Sequence, residues 1–312
     1  MKKYMIALDV GGTKADAVLF SDDGEVIARR VDPAGIPFDH GVEKTLKNCK
    51  STIDKLISSA NVPVSAFYAA IATVEYYHND FVCAFEEYFD IEKIRIEGDG
   101  PCLISGMLGH NDGACMICGT GSSLYMRKGD DYRHIGGGGH LVDSCGSGFS
   151  LGRLALQSAL RCGDGSSHET VLGRLITEKN GGVSPWIQQT EIYAKGRSFV
   201  ASFAGCVFEA RDMGDTVARR IFNTGASDLA DVIFAARKEI GEPFTLVLNG
   251  GIFKNFPEYA RAVCALAPKD VDVIYSNVPP VYGCAVEAMH DIGFTCDEGF
   301  KEKFLETYKQ HE

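Results

Sequence analysis

The sequence has no uninterrupted apolar run that approaches the length of a transmembrane helix. The apolar stretch after Lys2 and Lys3 is interrupted at Asp9, too early for the apolar segment of a secretory signal. Basic residues are in deficit, because 31 lysines and arginines face 42 acidic residues and give a formal charge of −11. Nucleic-acid affinity depends largely on clustered basic side chains, so we expect a small-molecule ligand, with neither nucleic acid nor membrane as a partner.

Common metal-binding and nucleotide-binding motifs are also missing. No Gly-x-x-x-x-Gly-Lys occurs, which argues against a Walker-type site, and no His-x-x-x-His occurs. Cys115 and Cys118 form a lone Cys-x-x-Cys on a predicted strand, where residues three apart point to opposite faces and share an ion poorly. The 11 cysteines are scattered through predicted strands and helices, so we expect reduced thiols and a cytoplasmic protein.

The first conspicuous motif is YMIALDVGGTKADAVLF, which predicts an apolar strand, a glycine loop and a second apolar strand. Asp9 ends the first strand, where an unpaired charge is costly unless a cation such as Mg²⁺ or strong donors compensate it. The loop supplies two glycines, a hydroxyl and an ammonium, namely Gly11, Gly12, Thr13 and Lys14. It predicts either a phosphate-binding loop or a hairpin in which Asp-x-Gly-Gly only makes the turn.

The order of predicted elements, βββαβαβα, occurs twice along the chain. The second copy opens with strand 114–118 and the loop Gly119-Thr120-Gly121-Ser122, and a helical insertion at about 149–214 interrupts it. We therefore predict an N-terminal domain over 1–111, onto which the tail 295–312 can pack back, and a C-terminal domain over 112–294. In such doubled α/β folds the glycine loops face each other across a cleft, beyond the carboxyl ends of the strands.

Two further strand ends carry candidate residues. Gly250 and Gly251 follow the predicted strand 244–248, and Asp99 follows the strand 93–97 just before a predicted helix that includes Pro101. An aspartate in that position is commonly a helix cap.

Together these motifs resemble the sugar kinase/heat-shock protein 70/actin superfamily, and within it the branch of N-acetylglucosamine kinases and BadF/BadG/BcrA/BcrD ATPases. The matching stretches, in order, are ALDVGGTKADAVLF, MICGTGSS, GSGFSLGRLAL, YAKGRSFVASFAGCVFEARDMGDTVARRI, LVLNGGIFKN and PPVYGCAVEAM. The resemblance covers nearly the whole chain. It implies an α/β fold made of duplicated ribonuclease H-like domains of the actin-like ATPase type, which face each other across an ATP cleft.

The resemblance implies ATP and Mg²⁺ as ligands. It places Asp9 near the metal ion, Asp99 as the general base that also contacts the sugar, and Gly250 with Gly251 against the adenosine. Its implied phosphate contacts come from both glycine loops: Gly11, Gly12, Thr13, Lys14, Gly119, Thr120, Gly121 and Ser122. These roles agree with phosphoryl transfer, in which the protein mainly positions reactants and compensates charge.

The chain departs from the family at the sugar-binding stretch. N-acetylglucosamine kinases carry Gly-Gly-Trp-Gly and then Gly-Asp-Glu-Gly-Ser-Gly, whereas this chain has four glycines over 136–139 and then Asp143-Ser144-Cys145. The tryptophan and both aligned acids are missing, which leaves Asp143, one position early, as the carboxylate of the stretch. The implied sugar contacts are Gly137, Gly138, Asp143 and Ser144. We therefore predict an ATP-dependent amino-sugar kinase for N-acetylglucosamine or a bulkier sugar such as N-acetylmuramic acid.

A second function remains open at this point. Other members of the same branch are ATPases that activate 2-hydroxyacyl-CoA dehydratases through an iron–sulfur cluster shared between subunits, and 11 cysteines are compatible with such a role. The cysteines are dispersed and the helical insertion matches the sugar kinases, so the kinase is the preferred prediction. A homodimer is compatible with the sequence.

Overall fold

The structure is a computed structural model that describes residues 2–12, 14–60, 62–129, 131–143, 145–186 and 189–311. The chain forms two compact units, unit 1 from residues 1–111 and 277–312, and unit 2 from residues 112–276. Thr13 and Ser144, which the sequence places in the site, lie outside the described residues.

Each unit contains a five-stranded mixed sheet within the described ranges. The strands are β1 Tyr4–Val10, β2 Lys14–Ser21, β3 Val26–Pro33, β4 Val64–Ile71, β5 Lys93–Glu97, β6 Gly113–Cys118, β7 Ser122–Lys128, β8 Asp131–Ile135, β9 Phe244–Asn249 and β10 Val271–Tyr275. The spatial order is β3-β2-β1-β4-β5 in unit 1 and β8-β7-β6-β9-β10 in unit 2. In each sheet the first three strands in this order pair antiparallel with their neighbours. The last two strands run parallel to the central strand, which is β1 in unit 1 and β6 in unit 2. The predicted duplication is confirmed in the topology of the sheets.

Helices cover these sheets and form the insertion. They are α1 Pro37–His40, α2 Val42–Ser58, α3 His78–Glu86, α4 Asp99–Leu108, α5 Gly148–Gly163, α6 Leu172–Lys179, α7 Gln189–Ser202, α8 Ala204–Asp212, α9 Thr216–Ile240, α10 Gly251–Asn255, α11 Pro257–Leu266, α12 Pro280–Asp291 and α13 Glu298–Gln310. Helices α5 to α8 correspond to the predicted insertion. No helix in the described ranges is long and apolar enough to cross a bilayer.

The crossover helix α2 illustrates why the sequence folds this way. Its apolar residues recur every three or four positions, which predicts a helix with one buried face. Cys49, Ile53 and Leu56 on that face are buried, and they share the unit 1 core with Ile6 and Leu8 of β1. Since each buried aliphatic side chain contributes about 1.5–3 kcal/mol, this face holds the helix to the sheet.

The last helix of the second repeat, α12, packs in unit 1, although the sequence grouped residues 277–294 with the C-terminal domain. The physical reason is a close helix–helix contact between glycines and backbone. A Cβ added to Gly283 would lie 1.8 Å from the carbonyl oxygen of Cys102 in α4, and one added to Gly106 would lie 3.3 Å from the Cα of Gly283. An apolar helical pattern predicts that a face is buried but does not identify its partner.

The C-terminal helix α13 also belongs to unit 1. Asp297 caps it by accepting a hydrogen bond of 2.8 Å from the N–H of Phe300. The ring of Phe304 lies edge-on to that of Phe20 in β2, with centroids 5.8 Å apart. The hydroxyl of Tyr308 donates a hydrogen bond of 2.6 Å to the carboxylate of Asp16. The tail therefore fastens to β2 through both apolar and polar contacts.

Candidate active site

The carboxyl edge of the unit 1 sheet carries two predicted site residues, Asp9 and Asp99. Asp9 lies at the end of β1, and Asp99 follows β5 as the first residue of α4. These strands run parallel on either side of β4, so their carboxyl ends meet at one edge. Burial and then the charges of Asp99 and Asp16 raise the pKa of Asp9 to about 7, while Lys14 opposes the shift. The structure therefore brings Asp9 and Asp99 close enough to interact.

Asp16 lies directly opposite Asp9 across the β1–β2 ladder, and its charge is compensated within unit 1. Arg29 donates two hydrogen bonds of 3.0 Å to its carboxylate, and Tyr308 donates a third. The ammonium of Lys14 lies 3.8 Å from the same carboxylate. Asp9, by contrast, is shifted toward its neutral form. Asp9 is thus the acid whose ionised form an added cation would stabilise.

Asp99 does not occupy the cap position of α4. The N-cap is Gly98, which makes no side-chain cap hydrogen bond, and Asp99 is already helical. The sequence predicts that the helix begins at Pro101, whereas in the structure it begins two residues earlier. The cap interpretation is therefore wrong, whereas the role of Asp99 as a base stays a prediction. Its position in the first helical turn is favourable for a negative charge.

Sequence reasoning missed Thr73, which lies beyond the carboxyl end of β4 at the same edge. Its φ of +67° makes it the one non-glycine residue with positive φ among those the structure describes. A left-handed backbone is uncommon for a β-branched residue. Its hydroxyl oxygen is buried without a hydrogen-bond partner. Strain and an unsatisfied polar atom are typical of ligand sites, but neither leaves a signal in the sequence.

The glycines of the two predicted phosphate loops are not explained by packing. Among the described residues, a Cβ added to Gly12, Gly119 or Gly121 would meet no atom within 4 Å beyond its chain neighbours, and at Gly11 the nearest such atom would be 3.8 Å away. None of these glycines has positive φ. The missing side chains therefore leave open space beside the backbone, which is what an anion needs in order to approach backbone N–H groups.

The second loop rests on the start of α5. The N–H of Gly148 donates a hydrogen bond of 2.8 Å to the carbonyl of Gly119, and the N–H of Phe149 donates one of 2.9 Å to that of Thr120. A Cβ on Gly148 would lie 2.8 Å from the Gly119 oxygen, so the approach requires glycine. Gly148 received no site role from the sequence, although its GSGFSLG stretch is part of the family resemblance.

An open pocket of about 250 Å³ in unit 2 joins this loop to the third glycine site. It is lined by Gly119, Thr120, Gly148, Ser198, Ala201, Ser202, Gly251, Ile252 and Asn255. Next to it, Gly250 has a φ of +107°, and an added Cβ would lie 2.4 Å from the carbonyl oxygen of Cys118. The structure thus brings Thr120 and Gly251 into one pocket, with Gly250 required by the fold itself.

The predicted sugar loop is a tight turn organised by Asp143. Its N–H donates a hydrogen bond of 2.8 Å to the carbonyl of Gly139. Its carboxylate accepts hydrogen bonds from the N–H of Gly138 at 3.0 Å and from the thiol of Cys145 at 3.4 Å. A small pocket beside the turn is lined by Met116, Ser122, Ser123, Ile135, Gly136, Gly137, Asp143, Cys145, Leu229 and Val232. Gly137, Asp143 and Ser122 therefore lie together, apart from the pocket at Thr120.

A second carboxylate, Asp228 of α9, approaches the sugar loop and was missed by motif comparison. Burial, then Asp143, then Asp228 raise the pKa of Cys145. Burial and the neighbouring Asp231 in turn raise the pKa of Asp228. Cys145 stands where the family resemblance expects an acid. Two acids from other positions, Asp143 and Asp228, lie near it instead. A residue on a separate helix could not be found from the spacing of a local motif.

Comparisons with known proteins find a matching family and similar kinases. A model of the BadF/BadG/BcrA/BcrD ATPase family matches residues 6–288. The chain is 26% identical over 278 residues to the N-acetyl-D-glucosamine kinase of Dictyostelium discoideum, covering 80% of this chain and 85% of that one. It is 27% identical over 210 residues to the N-acetylmuramic acid/N-acetylglucosamine kinase of Clostridium acetobutylicum, covering 63% and 67%. A structure from Chromobacterium violaceum assigned as an N-acetylglucosamine kinase superposes with a TM-score of 0.71 at 21% identity, covering 90% and 97%, which shows a shared fold.

Proposed function

We propose that this chain, which belongs to the BadF/BadG/BcrA/BcrD ATPase family, transfers the γ-phosphate of ATP to a hydroxyl of an amino sugar. The observation that carries the proposal is the pair Asp9 and Asp99 at the carboxyl edge of one sheet. The two relatives named as kinases of N-acetylglucosamine and N-acetylmuramic acid support the substrate class.

Asp9 fits a Mg²⁺ site by its chemistry. Mg²⁺ prefers carboxylate oxygens and keeps several waters. The pKa of Asp9 is raised by burial and by two neighbouring carboxylates, so a nearby dication would stabilise its ionised form. When bound, Mg²⁺ neutralises charge on the phosphates of the nucleotide. Asp9 would hold it, directly or through a water, and Lys14 would add a positive charge beside the phosphates.

The glycine loops would bind the nucleotide. Gly11 and Gly12 in unit 1, with Gly119 and Gly121 in unit 2, leave their backbones open for phosphate oxygens. Two other predicted contacts, Thr13 and Thr120, would add hydroxyl donors. The predicted phosphate contact of Ser122 is not supported, because its hydroxyl donates to the carbonyl of Cys145 beside the sugar loop. The pocket that contains Thr120 and Gly251 has room for part of the nucleotide, and the adenosine would lie against Gly250 and Gly251.

Asp99 would act as the general base. Its carboxylate would accept the proton of the sugar hydroxyl as that oxygen bonds to the γ-phosphorus and the bond to the β-phosphate oxygen breaks, which gives ADP. A carboxylate suffices for this step, because in a loose transition state the proton is transferred late. Asp9, whose pKa is raised, would hold the metal ion, and Asp99, at the start of α4, would act as the base.

The sugar would contact the loop at Gly137, Gly138, Asp143 and Ser144. Asp143 has one carboxylate oxygen bonded to Gly138 and the other to Cys145, and each ionised oxygen can accept a further hydrogen bond. Gly138 stands where N-acetylglucosamine kinases carry tryptophan, so the loop lacks that ring, although an added Cβ there would lie 3.3 Å from the side chain of Asp143. N-acetylmuramic acid is therefore a substrate to compare with N-acetylglucosamine.

The experiment is an ADP-release assay with Mg²⁺ and five sugars: glucose, glucosamine, N-acetylglucosamine, N-acetylmannosamine and N-acetylmuramic acid. We expect sugar-dependent ADP release with at least one N-acetylated sugar and little with glucose. Release of ADP that no sugar stimulates, together with bound iron and sulfide in protein purified without oxygen, would overturn the kinase and favour the dehydratase-activator function.

A further inference from the structure

Two histidines and a glutamate meet where helices α4 and α12 end in unit 1. His110 follows α4, whereas Glu287 and His290 are three residues apart on α12 and so share one helical face. Their ligand atoms all lie within 4.8 Å of one another, the one such group of three among the described residues. The imidazole rings are stacked, with centroids 3.7 Å apart and planes 25° apart. Three residues of types that ligate metals thus converge at one point.

Glu287 is fully buried and held in place by two donors. The hydroxyl of Ser105 donates to its Oε1, and the guanidinium of Arg95 donates to its Oε2. Ligating carboxylates are characteristically oriented by such hydrogen bonds from groups that do not themselves touch the metal. The two histidines are exposed, so their rings can adjust and solvent can reach the cluster.

The charges around the cluster are unbalanced. Arg95 faces three carboxylates: it pairs with Glu287, its Nε lies 3.1 Å from Asp291, and another nitrogen lies 3.8 Å from Glu97. One guanidinium therefore offsets only part of the negative charge. A divalent cation at the neighbouring imidazoles would offset the rest.

We propose that His110, Glu287 and His290 bind one divalent transition-metal ion of the Zn²⁺ class. Two imidazoles and one carboxylate are a ligand set that Zn²⁺ uses with water in the fourth position. Mg²⁺ prefers oxygen ligands alone, so this site differs from the proposed nucleotide metal at Asp9. Ligand atoms around Zn²⁺ lie roughly 3.4 Å apart, and the exposed imidazoles reach that spacing by moving about an ångström inward.

The site would clamp the C-terminal ends of α4 and α12. Helix α4 begins at Asp99, the candidate base, and a helix rises 1.5 Å per residue, so the metal would lie roughly 15 Å from that carboxylate. It would therefore act on the stability and position of α4, without contact with the reacting atoms.

The test is Zn²⁺ binding to protein freed of metal with a chelator, measured by equilibrium dialysis with elemental analysis. Wild type should bind one equivalent that is lost or weakened at least roughly tenfold in His110→Ala/His290→Ala, since even supporting partners of a metal site contribute about 10–100-fold. His168→Ala, which removes an exposed histidine of unit 2, is the control and should bind as wild type. Zn²⁺ should raise Tm in wild type and control but not in the double variant.

Substitution with Co²⁺ distinguishes metal bound at this site from metal bound by any of the 11 cysteines. Co²⁺ bound by imidazole and carboxylate gives weak visible bands, whereas thiolate ligands add intense near-ultraviolet charge transfer. Equal Zn²⁺ affinity in wild type and double variant, or a Co²⁺ spectrum dominated by thiolate bands, would overturn the proposal. Circular dichroism of the double variant checks that it is folded.

Discussion

Asp9 and Asp99 lie far apart in the first segment of unit 1, residues 1–111, and repel each other at one edge of its sheet. Burial is the largest cause of the raised Asp9 pKa, and the charge of Asp99 is the next. The nucleotide-free protein therefore holds a carboxyl group that is only partly ionised near pH 7. A site that binds a cation commonly carries such a cost, because the ligands are arranged for the ion and not for each other.

The first prediction is that Asp9→Asn stabilises the nucleotide-free protein at high pH while it lowers turnover. Burial raises the folded-state pKa of this carboxyl from 3.8 to about 7. Its contribution to the free energy of unfolding is therefore fully present below pH 3.8 and is lost as pH rises to about 7. The shift corresponds to at most about 4 kcal/mol, and solvent access to the partly exposed side chain reduces it. Thermal unfolding should show a higher Tm for the variant at pH 8 and a gain in Tm less than half as large at pH 5, because most of the interval between the two pKa values lies above pH 5.

Asp16→Asn is the matched control for that measurement. Its carboxylate accepts two hydrogen bonds from Arg29, whose side chain is largely buried, so the substitution leaves a guanidinium without its anion. Removing one partner of such a pair costs about 3–5 kcal/mol. Tm should therefore fall for Asp16→Asn at pH 8. A Tm for Asp9→Asn that is shifted equally at pH 5 and pH 8 would contradict the charge-based account.

The second prediction concerns Asp99→Asn. A lost general base lowers kcat by about 10²–10⁴-fold, while ATP binding measured by calorimetry should be unchanged. Asp80→Asn is the control, since Asp80 is an exposed acid in the first turn of α3 in the same unit. It should retain wild-type kcat. Full activity in Asp99→Asn would reduce Asp99 to a helix-terminal charge.

The third prediction separates glycines that serve a ligand from those that serve the fold. Gly12→Ala and Gly119→Ala should leave Tm nearly unchanged, because an added methyl group would meet no atom of the described residues within 4 Å beyond its chain neighbours. They should weaken nucleotide affinity by roughly tenfold or more, about 1.4 kcal/mol. Gly250→Ala should instead lower stability by about 1–3 kcal/mol, because its φ is positive and the Cβ meets the Cys118 carbonyl. Similar nucleotide affinity in wild type and Gly119→Ala would argue against the phosphate loop.

The fourth prediction addresses sugar specificity. Asp143→Asn should lower kcat/KM for the preferred sugar by roughly 10–100-fold with little effect on the KM for ATP, since hydrogen bonds to ionised groups are about twice as strong as neutral ones. Asp228→Asn should have a smaller effect in the same direction, because Asp228 approaches the loop only beside Cys145. Glu191→Gln is the control, since Glu191 is a partly exposed acid of α7 that pairs with Lys195. Unchanged sugar preference in Asp143→Asn would exclude it from the sugar site.

The sequence by itself determined the local elements and their repetition. An apolar run that ends in Asp9 and two glycines predicts a strand and a turn, and the apolar stripe on α2 predicts a helix with one buried face. Such inferences succeed because backbone geometry and hydrophobic periodicity act over a few residues. The glycine loops could be recognised for the same reason, because each of them directly follows an apolar run that predicts a strand.

Tertiary structure alone decided which elements pack together and how charges are compensated. The packing of α12 on α4 depends on Gly283 lying against the backbone of Cys102. The carboxylate of Asp16 accepts a hydrogen bond from the hydroxyl of Tyr308, 292 residues away. The same holds for the positive φ of Thr73, the approach of Asp228 to Cys145, and the meeting of His110 with His290. Packing and electrostatics act through space over a few ångströms, and separation along the chain says nothing about those distances.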